Sequence, residues 1–253
     1  MVLRMATSTL LLLASLFLSG NLKAEEIHIA VASNFAATMR VLAERFEEQT
    51  GHSVVLLPGS TGKHYAQIMH GAPFDAFFAA DAERPALLEA DGRIMPGSRF
   101  TYAIGKLVLW SPDPGLVDSN GAVLDSGSFR RLAIANPRLA PYGRAAMQAL
   151  ESRGLRESLQ SKLVRGENIS QAFQFVASGN AELGFVALSQ LMQTGRHGKG
   201  SWWQVPEHLY TPIEQQAVLL SDSTAALELV SFMKSKPAHA LISGFGYGIP
   251  DVQ

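Results

Sequence analysis

The chain has 253 residues, 47% of them apolar, with 21 basic against 22 acidic residues and no cysteine. This composition suits a globular protein with a large core and excludes disulfide frameworks, cysteine metal sites and thiol chemistry; a near-neutral balance without a basic stripe also argues against nucleic-acid binding. At the N-terminus, Arg4, an apolar block running through Leu18 and a small, polar stretch ending at Ala24 form the three parts of a secretory leader over 1–24. The block falls short of the roughly 20 apolar residues a bilayer span needs, and no cysteine offers a lipid anchor. Cleavage before Glu25 removes Arg4 and Lys23, so the net charge moves from −1 to −3. The remainder is long enough for two lobes of roughly 110 residues each.

From Glu25 onward, β-rich apolar runs alternate with amphipathic stretches, the pattern of an α/β protein with parallel strands. A strand is expected over 27–31, then a helix over 36–48 whose Met39, Leu42, Ala43 and Phe46 share one face, stopped at Thr50-Gly51. A strand at 54–57, a turn at 58–62, a helix at 63–70 and a strand at 74–79 follow. A helix over 84–90 ends at Asp91-Gly92. The run 100–110 is about twice the usual strand length and carries Gly105 at its centre, so it reads as a crossing between lobes. A second series then begins with a strand at 132–135, helices near 144–151 and 171–178, and a strand at 183–187, ahead of Trp202-Trp203. Residues 213–220 have the extended character of a return crossing and precede a last helix at 224–234. The expected division is 25–103 plus 214–253 for a discontinuous first lobe and 104–213 for the second.

Four helices in this scheme begin with small, uncharged hydrogen-bonding residues: Ser33-Asn34, Ser60-Thr61-Gly62, Pro141-Tyr142-Gly143 and Asn168-Ile169-Ser170. Each taken alone is an ordinary N-cap. In doubly wound lobes, however, helix N-termini that follow strand C-ends gather at the crevice edge of the sheet, and two facing lobes would bring all four to one cleft. Free N–H groups and the positive ends of helix dipoles there suit an anion. Ser33, Ser60 and Thr61 would add hydroxyls, while Tyr142 and Ile169 would offer backbone N–H only. Lys63 and Arg144 at two of these starts read as solvated surface charge, and Asp81 as a helix cap or loop brace. The seven histidines are scattered without metal-ligand spacing. No G-x-S-x-G elbow or phosphate-binding glycine loop is present, which argues against an enzyme; an exported hydrolase would need a nucleophile with a base in reach.

The ordered set Ala32-Ser33-Asn34-Phe35, Gly59-Ser60-Thr61-Gly62-Lys63, Gly71-Ala72-Pro73-Phe74-Asp75 with Ala80-Asp81, Asn136-Pro137 before Ala140-Pro141-Tyr142-Gly143, and Leu183-Gly184-Phe185-Val186-Ala187 resembles the periplasmic molybdate-binding proteins of ABC importers, over essentially the whole chain after the leader. The resemblance implies a type II two-lobed α/β fold: two doubly wound lobes joined by crossing strands, with a ligand cleft between. It implies capture of molybdate, and of tungstate, as an oxyanion rather than a metal cation, with no further cofactor. It also implies delivery to an inner-membrane permease by a monomeric periplasmic protein. Ser33, Asn34, Ser60 or Thr61, Tyr142 and Ile169 match the family's oxyanion contacts. Ala187 stands where some members carry a tyrosine, and Asn34 is the residue that would compensate. Sulfate, phosphate or another tetrahedral oxyanion is the alternative ligand.

Overall fold

Alternating strand and helix periods build two sheets, each covered by helices on both faces. The computed structural model describes residues 24–193, 195 and 199–250; the leader expected over 1–24 lies outside the described residues apart from Ala24. The chain runs through β1 (Glu26–Ala32), α1 (Ala36–Thr50), β2 (Ser53–Gly59), α2 (Thr61–Met69), β3 (Ala76–Phe78), α3 (Glu83–Ala90) and β4 (Phe100–Gly105). It crosses into β5 (Leu107–Ser111), α4 (Val123–Ser126), β6 (Leu132–Ala135), α5 (Pro141–Ser152), α6 (Arg156–Leu159), β7 (Leu163–Gly166), α7 (Ile169–Ala177), β8 (Leu183–Ala187), α8 (Leu188–Gln193) and β9 (Ser201–Gln204). It returns to β10 (Ile213–Leu219), α9 (Thr224–Met233) and α10 (Lys236–Gly244).

The first sheet has the order β2-β1-β3-β10-β4 and the second β7-β6-β8-β5-β9. In each, three parallel strands are followed by two joined antiparallel. The strands β6 and β8 inside the second sheet are buried on both faces, which is why they read as continuous apolar runs rather than alternating ones. On one side of the first sheet, Ile27, Ile29 and Val31 pack with Met39, Leu42 and Phe46 of α1. On the other, Ala30 and Phe77 meet Ile68 of α2 and Leu88 of α3. Each large apolar side chain so buried stabilises by about 1.5–3 kcal/mol. The core of the second lobe extends across the cleft to Ala32 and Ala80 of the first, so the lobes are described in a closed arrangement.

The long run over 100–110 is two strands, not one. It breaks at Lys106, with β4 in the first sheet and β5 in the second; β4 therefore ends two residues beyond the expected division at 103. All of β10 pairs within the first sheet, so the return passage is made by 205–212. Helix α1 ends as expected at Gly51, whose φ of 78° lets its N–H reach the carbonyl of Glu47. Trp202 and Trp203, expected as packing or rim residues, lie in β9 against β5. Strands β7 and β9 and helices α4, α6, α8 and α10 are additions to the expected scheme.

Candidate functional site

The C-ends of β1, β2 and β6, together with the turn after β7, lead into α1, α2, α5 and α7, and these junctions converge on a small cavity of about 10 Å³ between the lobes. Ser33, Asn34, Ser60 and Thr61 line it from the first lobe, Tyr142 and Ile169 from the second. All six residues singled out in the sequence therefore meet in one place. The remaining lining comes from Ala32, Gly59, Ala80, Ala140, Pro141 and Asn168, so no charged side chain faces the cavity.

Each junction leaves donors unspent. The Ser33 N–H is bonded to the carbonyl of Gly59 at 2.8 Å, which ties the first two loops together and leaves its hydroxyl for the cavity. The Ser60 hydroxyl is buried and has no hydrogen-bond partner. Thr61 differs: its oxygen accepts the Ala80 N–H at 3.0 Å, so its own proton remains to be donated. At α5, Ala140 is extended and Pro141 takes the first helical turn, where a missing N–H costs nothing. At α7, the Asn168 side chain caps Gln171 N–H at 3.0 Å. The N–H groups of Thr61, Tyr142 and Ile169 donate to no other described residue. Three hydroxyl groups and several helix-start N–H groups thus face a small volume with the positive ends of three helices behind them, an arrangement suited to an anion.

The structure also separates roles that the sequence left together. The Asn34 side-chain amide donates to Gln215 Oε1 at 2.8 Å and to the Tyr247 hydroxyl at 3.3 Å, while its backbone carbonyl accepts from Tyr247 at 2.7 Å. Its side-chain amide is thereby held toward the hinge. Ala187 is buried, donates its N–H to Gln190 Oε1 at 3.0 Å and is not part of the lining. The Tyr142 hydroxyl points away, 3.5 Å from Gln215 Nε2. A Cβ on Gly105 would lie 2.3 Å from that hydroxyl, so the hinge glycine makes room for it. Burial pushes the hydroxyls of Tyr102 and Tyr142 well above their ordinary range and that of Tyr247 to about 12, so this cluster stays uncharged. His64, absent from the expected site, packs behind Ser60 against Gly59 with its Nε2 unpartnered; burial lowers its pKa and keeps it neutral.

The surface charges Lys63 and Arg144 beside the cavity are also paired. Asp81 accepts the Arg84 N–H at 3.2 Å, combining a capping bond with ion pairs to Arg84 and Arg144. Arg144 also bonds Glu83, and Lys63 lies 3.1 Å from Glu167. Among the described residues no cluster of three or more His, Asp or Glu could hold a metal ion.

The profile of the bacterial extracellular solute-binding proteins matches residues 27–248. The chain belongs to that family. As a solute-binding protein it is 53% identical over 230 residues to the molybdate-binding protein ModA of Azotobacter vinelandii, covering 90% of this chain and 91% of that one. It is 47% identical over 227 residues to the molybdate-binding protein ModA of Rhodobacter capsulatus, covering 88% of each. Among solved structures, the Azotobacter vinelandii periplasmic molybdate-binding protein superposes with a TM-score of 0.86 at 46% identity, covering 89% of this chain and all of that one. The sulfate-binding protein SubI of Mycobacterium tuberculosis shares the fold, with a TM-score of 0.71 at 15% identity over 90% of this chain and 88% of that one. The two-lobed solute-binding architecture is therefore the fold of this chain.

Proposed function

We propose that this solute-binding protein captures molybdate, and tungstate with it, between its lobes and delivers the oxyanion to an inner-membrane ABC permease. The observation that carries the proposal is the cavity itself: neutral donors from both lobes, with no carboxylate and no cation among its lining. The Ser60 hydroxyl, buried without a partner, is the strongest single sign of a missing acceptor. In this reading Ser33, Ser60 and Thr61 donate hydroxyl protons, while Asn34, Thr61, Tyr142 and Ile169 donate backbone N–H. A dianion suits such a site because it accepts from every side; a protonated oxyanion brings an O–H that finds no acceptor. Both lobes supply donors, five from the first and two from the second, so only the closed form completes the set and the ligand shifts the population toward closure. No bond in the ligand is made or broken, no other cofactor takes part, and the protein acts as a monomer in the periplasm after loss of its leader. The identity to two molybdate-binding relatives supports the choice of molybdate over other tetrahedral oxyanions.

Calorimetric titration of the chain from Glu25 onward with molybdate, tungstate, sulfate and phosphate tests the proposal. Tight binding of the first two and weak or absent binding of the others is expected, with the anion recovered unchanged. An equal response to all four, or none to molybdate, overturns it.

A further inference from the structure

Two sets of charged residues straddle the anion cavity, and each joins one lobe to the other. On one flank, Arg144 of the second lobe bonds Glu83 and lies 3.2 Å from Asp81, both of the first lobe. Beside it, Arg84 of the first lobe reaches the carbonyl of Arg138 at 3.2 Å, and the Gly62 N–H reaches that of Leu139 at 2.8 Å. On the other flank, Lys63 of the first lobe meets Glu167 of the second at 3.1 Å. The spacing along the chain is regular. Lys63 follows Thr61 by two residues, Arg144 follows Tyr142 by two, Glu167 precedes Ile169 by two, and Asp81 adjoins Ala80 of the lining. Every segment that faces the cavity, apart from Ser33-Asn34, therefore also carries a charge committed to the opposite lobe.

We infer that Arg144 and Lys63 set the affinity of the anion site without touching the anion, by latching the closed lobes on either side of it. These bonds bridge the lobes and so belong to the closed arrangement; they enter the binding free energy although no latch residue is a ligand. Consuming both cations in this way also leaves the cavity lined by neutral donors, which is what makes it selective for a fully ionised oxyanion. The Arg144 bond holds the Glu83 carboxyl below its usual range, so this pair is fully formed at neutral pH. Asp81 is nearly buried and receives Arg84 as well, so its side of the latch is pre-set before Arg144 arrives. Lys63 and Glu167 are each about half exposed and form the weaker arm.

The inference rests on molybdate being the ligand, and its test is arranged to separate the two. Wild type, Arg144→Ala, Lys63→Glu, Glu167→Lys and the Lys63→Glu/Glu167→Lys swap are compared by calorimetry with molybdate and by stopped-flow release. Arg144→Ala should weaken binding about five- to tenfold, and each Lys63 or Glu167 reversal about two- to fivefold, mainly through faster release. The swap should regain most of the affinity lost by either reversal, while ligand-free melting temperatures stay at the wild-type value. Wild-type affinity in Arg144→Ala and Lys63→Glu, or losses without rescue accompanied by lower ligand-free melting temperatures, would overturn the latch. A wild-type protein that ignores molybdate overturns the function proposal and the latch with it.

Discussion

Ser60 and Thr61 are adjacent hydroxyl residues on the same cavity wall, yet the structure predicts different consequences for their removal. The Ser60 oxygen is buried with no partner in the closed arrangement, so Ser60→Ala removes no hydrogen bond that the protein makes to itself. Ligand-free stability should therefore hold. In the complex the same hydroxyl would donate to a dianion. A hydrogen bond to a charged group contributes about 1.5–3 kcal/mol, and about 1.4 kcal/mol is a factor of ten, so affinity should fall roughly ten- to a hundredfold. Thr61 carries a second duty, because its oxygen accepts the N–H of buried Ala80 at 3.0 Å. Thr61→Val keeps the shape but strands that N–H at a cost of about 1–3 kcal/mol. It should therefore lower the ligand-free melting temperature as well as the affinity. Differential scanning calorimetry with and without molybdate, paired with titration calorimetry, separates the two patterns. If Ser60→Ala binds molybdate as tightly as wild type, or melts lower without ligand while Thr61→Val does not, the reasoning about the orphaned hydroxyl fails.

Three further outcomes follow from the hinge and the N-terminus. Gly105→Ala puts a Cβ 2.3 Å from the Tyr142 hydroxyl; overpacking of this kind costs about 1–3 kcal/mol, so both melting temperature and molybdate affinity should drop, and unchanged values in calorimetry would contradict the fit described. Tyr142→Phe keeps the backbone N–H and loses only a hydroxyl whose nearest partner is 3.5 Å away, so affinity measured by titration should stay within about threefold of wild type. Glu25 accepts the Ser223 hydroxyl at 2.7 Å and the Ala225 N–H at 3.2 Å, and these bonds, the Ser223 one foremost, hold its pKa below the ordinary value. Its contribution is present above the usual carboxylate range and lost as pH falls through the lowered value. Glu25→Gln should therefore melt below wild type at pH 7, with the gap closing on acidification, and a gap constant across pH would refute this.

Much of the fold could be read in advance where one local signal sufficed. The runs at 132–135 and 183–187 coincide with β6 and β8 because strands buried on both faces demand unbroken apolar sequence. Gly51 marks the end of α1 because few other residues adopt its left-handed conformation without strain. Local signals failed where they were ambiguous or where the deciding partner lay far away. Pro237 resembles a stop after the helix at 224–234, yet Ser235 caps Ala238 N–H and Pro237 sits in the first turn of a new helix, where it is equally at home. The four-residue β7 includes exposed Arg165 and lies at a sheet edge, which leaves little apolar pattern to detect. Within the site, helix-start chemistry located the donors because N-caps are local. The duties of the Asn34 side chain were hidden because Gln215 and Tyr247 lie 181 and 213 residues away. The pairing of the surface charges Lys63 and Arg144 was hidden for the same reason, with partners between 61 and 104 residues distant.

The strand order of the first sheet has a consequence for how the protein is made. Strand β4 joins that sheet only through β10, which the ribosome supplies more than a hundred residues later, whereas the second sheet is complete within one contiguous stretch of chain. The half that emerges first is therefore the last to close, since long-range pairing must wait for its partner. Until Ile213–Leu219 appears, the N-terminal half remains an unfinished sheet, so the interleaved topology acts as a built-in delay on its folding.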